Sequence, residues 1–270
     1  MQPDLGAIHH VVLDMDGTIY KGKELFACTM PFLAQLQDAG IGYTFLTNNT
    51  SRSKADYVAK LQAFGIECGE RQIYTPADST IAYLEDHYPG SVSIAVLGTP
   101  SLCAQFEQAG FTVTWDSPQA VVVGFDTTLT YERLCRAAYW IGRELPFIAT
   151  HPDLVCPTDE ATVLVDCGSI CAALTAATGK RPVVLGKPDP SILLDLCRGL
   201  GLVPRQVAMV GDRIYTDMVM AQKAGAVAVL VLSGEATAED AATLEEPPDV
   251  VVADIGELGP MLTASPGVSR

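Results

Sequence analysis

Two aspartates one residue apart, Asp14 and Asp16, follow an apolar run in VVLDMDGTIY, residues 11–20. Val11, Val12 and Leu13 read as a strand buried on both faces, because continuous branched apolar runs belong to parallel sheets covered by helices. Both acids then lie at the carboxyl end of the strand, the edge where open α/β sheets bind ligands. Strand alternation points residues i and i+2 the same way, so the two carboxylates are expected to converge. Three further strand ends carry comparable groups: Thr47-Asn48-Asn49 after GYTFL, Lys187 in LGKPDP, and Asp212 with Asp217 in VGDRIYTDM. Taken as one site, four carboxylates and one ammonium leave a charge of about −3. Like charges a few ångströms apart cost roughly 4 kcal/mol per pair at an effective dielectric near 20. A hard divalent cation with oxygen ligands would offset that cost. Mg2+ is the expected ion, since it binds one or two carboxylates and completes its shell with water and phosphate oxygens.

A phosphate ester is the matching substrate. Phosphoryl transfer needs an in-line attacking oxygen, with donors and positive charge around the equatorial oxygens. Asp14, on the rigid strand end, is the expected nucleophile and would pass through an aspartyl-phosphate. Asp16, in the turn, would protonate the departing alkoxide and then take a proton from the hydrolytic water. Thr47 offers a hydroxyl donor to the phosphoryl group with Asn48 as helper, and Lys187 neutralises charge between substrate and nucleophile. Asp212 would hold the metal. Asp217, five residues on, would order a water in the metal's shell or orient Lys187; its alternative role is that of a helix N-terminal acid.

The elements that must position these residues alternate along the chain. Strand-like runs at Val11–Leu13, Gly42–Leu46, Ile94–Leu97, Val121–Val123, Phe147–Ala149, Val183–Leu185, Val207–Val210, Val227–Leu232 and Val250–Val252 are separated by helical patterns. That rhythm predicts α/β architecture with parallel sheets. Nine strands exceed one tidy sheet at this length. Strands ending near residues 13, 46, 185 and 210 carry the polar clusters, and those between 90 and 150 do not. The expectation is a catalytic core of residues 1–79 and 183–270 with an inserted α/β domain at 80–182.

Composition narrows the function classes. Seventeen Lys and Arg against 32 Asp and Glu give a net charge of −15 over 270 residues, a field that repels nucleic acid and anionic lipid. No apolar run approaches the roughly 18 residues of a membrane span, and the N-terminus lacks the pattern of a secretory signal. The eight cysteines show no C-x-x-C spacing and read as reduced thiols. A cytoplasmic protein is expected.

The motifs also carry a family resemblance. DMDGT at 14–18, Thr47 after an apolar strand, GKP around Lys187 and GDRIYTD at 211–217 resemble, in order and spacing, the four motifs of the haloacid dehalogenase superfamily. DGTIYKG, FLTNN, VVVGFD and FIATHPD resemble its class IIA branch of p-nitrophenyl, phosphoglycolate, pyridoxal phosphate and nucleotide or sugar phosphatases. The resemblance implies a Rossmann-like core with residues 80–182 as a cap. It assigns the nucleophile to Asp14, acid/base work to Asp16, phosphate binding to Thr47 and Lys187, and magnesium to Asp14, Asp212 and the backbone carbonyl of Asp16. Related caps sometimes dimerise, which makes a homodimer one expectation. One departure is His151, where relatives commonly carry asparagine in an Asn-Pro-Asp turn.

The resulting reading is a Mg2+-dependent phosphatase acting on a small-molecule phosphate monoester. A receiver-like phosphoacceptor would share the acceptor Asp, metal, hydroxyl and lysine but needs neither Asp16 nor a large insert. A non-catalytic phosphometabolite-binding protein is a third reading, and a dehalogenase would not require the metal carboxylates. Asp126 and His151 sit at strand ends, where turn roles suffice. His9 and His10 read as edge or surface positions, and Cys167 and Cys171 as one helical face without zinc.

Overall fold

The branched apolar runs become strands of two parallel sheets. In the computed structural model, residues 3–156 and 161–263 are described. The first sheet has six strands in the order Val250–Val252, Val227–Val231, Val207–Gly211, His10–Asp14, Gly42–Leu46 and Ile73–Tyr74, all parallel. His10–Asp14, Val207–Gly211 and Val227–Val231 are buried throughout, as strands covered on both faces must be. On one face Val12, Met209 and Leu230 pack with Ile192, Leu193 and Leu196 of helix Ser191–Leu200 and with Met220 and Ala221 of helix Val219–Ala224. Each such leucine contributes roughly 1.5–3 kcal/mol by leaving water.

The second sheet has five parallel strands in the order Val183–Val184, Phe147–Ala149, Ala120–Val123, Ser93–Leu97 and Thr112–Val113. Its faces alternate with period two. Ile94, Val96, Ala120 and Val122 join Leu102 and Phe106 on one side; Ala95, Leu97, Val121 and Val123 join Ala137, Ile141 and Ile170 on the other. The helices start where short polar side chains satisfy their first N–H groups: Thr99 accepts from Leu102 N, Thr130 from Arg133 N and Asp166 from Cys167 N.

Chain contacts divide the molecule into two compact units. The first comprises residues up to Thr47, Leu61–Tyr74 and residues from Pro188; the second comprises Asn48–Lys60 and Thr75–Lys187. The sequence-based boundaries lie at 79/80 and 182/183, against 74/75 and 187/188 here, and residues 48–60, expected in the core, belong to the second unit. The grouping of the Val183–Leu185 run with the core strands is corrected: Val183–Val184 pairs with Phe147–Ala149 at the edge of the second sheet. The strand is two residues long with both valines exposed, and a polar cluster after a strand does not say which sheet it joins. Among the described residues no helix is long and apolar enough to cross a membrane.

Candidate active site

In the first unit the site begins where strand His10–Asp14 ends. Asp14 is paired with Leu46 in register, so Thr47 leaves the adjacent strand at the same sheet edge, its N–H donating to Tyr74 O at 3.2 Å. On the other flank Val207–Gly211 hands the chain to Asp212. A single π-turn, Ile214–Met218, then brings Asp217 back: its N–H donates to Arg213 O at 3.0 Å, and its Oδ2 accepts from Arg213 N at 3.1 Å. Asp14, Asp212 and Asp217 are all buried and offer carboxylate oxygens within 4.8 Å of one another. At that separation each pair of charges costs roughly 3 kcal/mol at an effective dielectric of 20.

The turn that follows Asp14 makes room for this cluster. Gly17 has φ +90°, and a Cβ there would stand 2.6 Å from Asp212 Cγ. An L side chain would be strained at that φ and would also occupy the space in front of the carboxylate. A donor set made entirely of carboxylate oxygens fits a hard divalent ion. Asp16 is placed differently from the period-two expectation. The strand stops at Asp14, Gly17 N donates to Tyr20 O at 2.8 Å to close a turn, and Asp16 is exposed outside the three-carboxylate cluster. Alternation does not extend into a turn, so Asp16 is set by turn geometry.

The second unit holds the other two expected residues together. Lys187 is buried, and its backbone is clamped by the Asn48 amide: Asn48 Oδ1 accepts from Lys187 N at 2.9 Å and Nδ2 donates to Lys187 O at 3.0 Å. Asn48 Nδ2 also donates to Asp153 Oδ1 at 3.2 Å. This positioning use of Asn48 is invisible in the sequence, because the partner lies 139 residues away.

His151 is fully buried, with Nδ1 at 2.8 Å from Thr150 Oγ1 and Nε2 at 2.8 Å from Asp166 Oδ1. Burial opposes its charge, but Cys167, the Asp166 hydrogen bond and the nearby Asp153 outweigh it and raise its pKa to about 9. Asp166 was missed by sequence reasoning; its one legible sign is an N-cap position before helix Cys167–Thr178. Asp126 is a turn residue, ion-paired to Arg133 at 2.7 Å and accepting from Thr128 N at 2.9 Å. His10 is buried and bonded to Thr44 at 2.8 Å, so it is a core position.

Residues 11–112 match the family profile described as haloacid dehalogenase-like hydrolase, and residues 184–258 match a second HAD-hydrolase-like profile. The chain is similar to the 5'-nucleotidase YutF of Bacillus subtilis, at 33% identity over 83% of this chain and 86% of that one. Its fold is similar to a 4-nitrophenylphosphatase from Thermotoga maritima, at 39% identity with 94% and 97% of the two chains covered and a TM-score of 0.90. It is also similar to a glycerol phosphate phosphatase from Mycobacterium tuberculosis solved in complex with magnesium, at 29% identity, 96% and 79% coverage and a TM-score of 0.88. That relative was solved with calcium as well.

Proposed function

Since this chain belongs to the haloacid dehalogenase-like hydrolases and is a phosphatase among them, we propose that it hydrolyses a small-molecule phosphate monoester through an aspartyl-phosphate on Asp14, with Mg2+ as its metal. The convergence of Asp14, Asp212 and Asp217 in one buried cluster carries this reading. Three clustered carboxylates are costly unless a cation and a polyanionic substrate share the space.

Asp14 attacks phosphorus in line with the ester oxygen, the phosphorus–oxygen ester bond breaks, and Asp16 gives its proton to the leaving alkoxide. Asp16, now ionised and solvent-accessible, takes a proton from water. That water attacks the acyl phosphate, the bond to Asp14 Oδ breaks, and inorganic phosphate leaves. Thr47 donates its hydroxyl to the phosphoryl oxygens, with Lys187 as the fixed positive charge and Asn48 holding the Lys187 backbone. Asp14, Asp212 and the Asp16 carbonyl would hold Mg2+, with Asp217 in support. The ion would supply positive charge against the carboxylates and the phosphoryl oxygens. The second unit is assigned as the cap, which excludes bulk water and contributes substrate contacts.

The relatives named above act on a nucleotide, an aryl phosphate and a glycerol phosphate, and a small monoester is what these substrates share. Phosphate release from a panel of such esters tests the proposal. Turnover that requires Mg2+ and stops with chelator is expected; turnover indifferent to chelator would contradict the metal assignment.

A further inference from the structure

The loop that leaves strand Val227–Val231 touches both sides of the carboxylate site in the first unit, although it lies outside all four sequence motifs. Ser233 Oγ donates to Gly17 O at 2.7 Å. Two residues on, the N–H of Glu235 donates to Asp212 Oδ2 at 2.8 Å, and Ala236 N donates to the Asp212 carbonyl at 3.1 Å. Gly234 sits between these contacts. A Cβ at this position would stand 2.5 Å from Asp212 Cγ and 2.6 Å from its Cβ, so only a hydrogen fits against the carboxylate. The Glu235 side chain is itself anchored, 3.0 Å from Arg213 Nε.

These bonds act on groups that the proposed mechanism uses. The Asp16 carbonyl and the Gly17 N–H belong to one planar peptide. The bond from Gly17 N to Tyr20 O and the Ser233 bond to the next carbonyl therefore fix the direction in which the Asp16 carbonyl points. On the opposite side, the Glu235 N–H fixes one oxygen of Asp212. Three consecutive residues thus tie the nucleophile turn to the Asp212 carboxylate.

We propose that Ser233, Gly234 and Glu235 form a positioning segment that holds the Asp16–Gly17 turn and the Asp212 carboxylate at the spacing a small six-coordinate cation requires. The inference rests on the metal reading above and adds to it a source of ion selectivity. Mg2+ demands near-octahedral oxygens at about 2.0–2.1 Å, whereas Ca2+ accepts about 2.3–2.6 Å in flexible geometry. Loosening the tie should therefore penalise Mg2+ more than Ca2+.

The test is calorimetric titration of Mg2+ and of Ca2+ into the full-length, metal-free protein, comparing wild type with Ser233→Ala and Ser233→Thr and recording thermal melts of each. Ser233→Ala is expected to weaken Mg2+ binding by about 10-fold or more, within the range found when groups that orient metal ligands are removed. Ca2+ binding should weaken less. Ser233→Thr, which keeps the hydroxyl, should restore Mg2+ affinity. Ser233→Ala binding Mg2+ as tightly as wild type, or losing both ions equally, would overturn the inference while leaving the metal centre in place. A wild-type protein that binds neither ion would overturn the metal reading and this inference with it.

Discussion

Asp14 and Asp16 are two residues apart in sequence yet occupy different environments. Asp14 is buried beside two other carboxylates, whereas Asp16 is exposed in a turn. A buried, fixed carboxylate suits a nucleophile; an accessible one suits proton exchange with leaving group and water. Asp14→Asn should abolish turnover, by at least about 10³-fold, while increasing the stability of the metal-free protein. Removing one of three mutually repelling charges should contribute about 1–3 kcal/mol, measured by urea unfolding in chelator. A metal-free variant no more stable than wild type would mean that the cluster is already neutralised by protons. Asp16→Asn should slow alkyl phosphate esters by a larger factor than p-nitrophenyl phosphate, whose leaving group scarcely needs a proton. Equal losses on both substrates would count against the acid role.

At the scale of elements, a sheet edge in each unit positions residues of the proposed chemistry. Strand ends deliver Asp14, Thr47 and Asp212, and the segments after them do the fine positioning: the π-turn that returns Asp217, and the Asn48 amide that clamps Lys187. In the second unit the loop after Phe147–Ala149 is held by the buried His151–Asp166 pair. His151 has a pKa of about 9, above its ordinary 6.5, so the folded state binds this proton more tightly than the unfolded chain. That contribution is present below about pH 6.5 and fades as pH rises through about 9, whereas the Cys167 thiol, lowered to about 6 with the charged His151 beside it, contributes in the opposite sense as pH rises, so the two nearly offset. Chemical denaturation should therefore show little change in wild-type stability from about pH 7 to about pH 9. A steep fall over that range would contradict the pairing of His151 with the Cys167 thiolate.

The alternating strands were legible in the sequence because burial on both faces demands unbroken branched apolar runs, and each of the nine runs forms a strand. Asp14 and Asp212 were legible as acids closing apolar strands, and Asp217 as the acid five residues on, which the π-turn Ile214–Met218 brings back. Less was legible where partners are remote or where turns replace strands. Val183–Val184 was assigned to the wrong sheet because pairing is a three-dimensional fact that a two-residue exposed run does not encode. Asp16 departed from alternation because the strand ended before it. Asp166 and Ser233 drew no attention because an N-cap acid and a serine after a strand are common locally, and their partners lie 15 and 216 residues away.

At the scale of the whole molecule, the net charge of −15 sets which phosphates approach. A small monoester meets the repulsive field with few charges of its own, whereas an oligonucleotide carries many. A 5'-phosphorylated oligonucleotide should be hydrolysed at least about tenfold more slowly than the matching mononucleotide at low salt, and the gap should narrow as salt screens the field over about 10 Å at 0.1 M. A gap unchanged by salt would assign the discrimination to shape alone. The proposed phosphate release depends on one covalent event at one side chain. Turnover quenched in acid, reduced with borohydride and mapped by peptide mass spectrometry should place homoserine at position 14, the product of reducing an aspartyl-phosphate there. Homoserine at any other aspartate, or none in protein quenched during steady phosphate release, would contradict it.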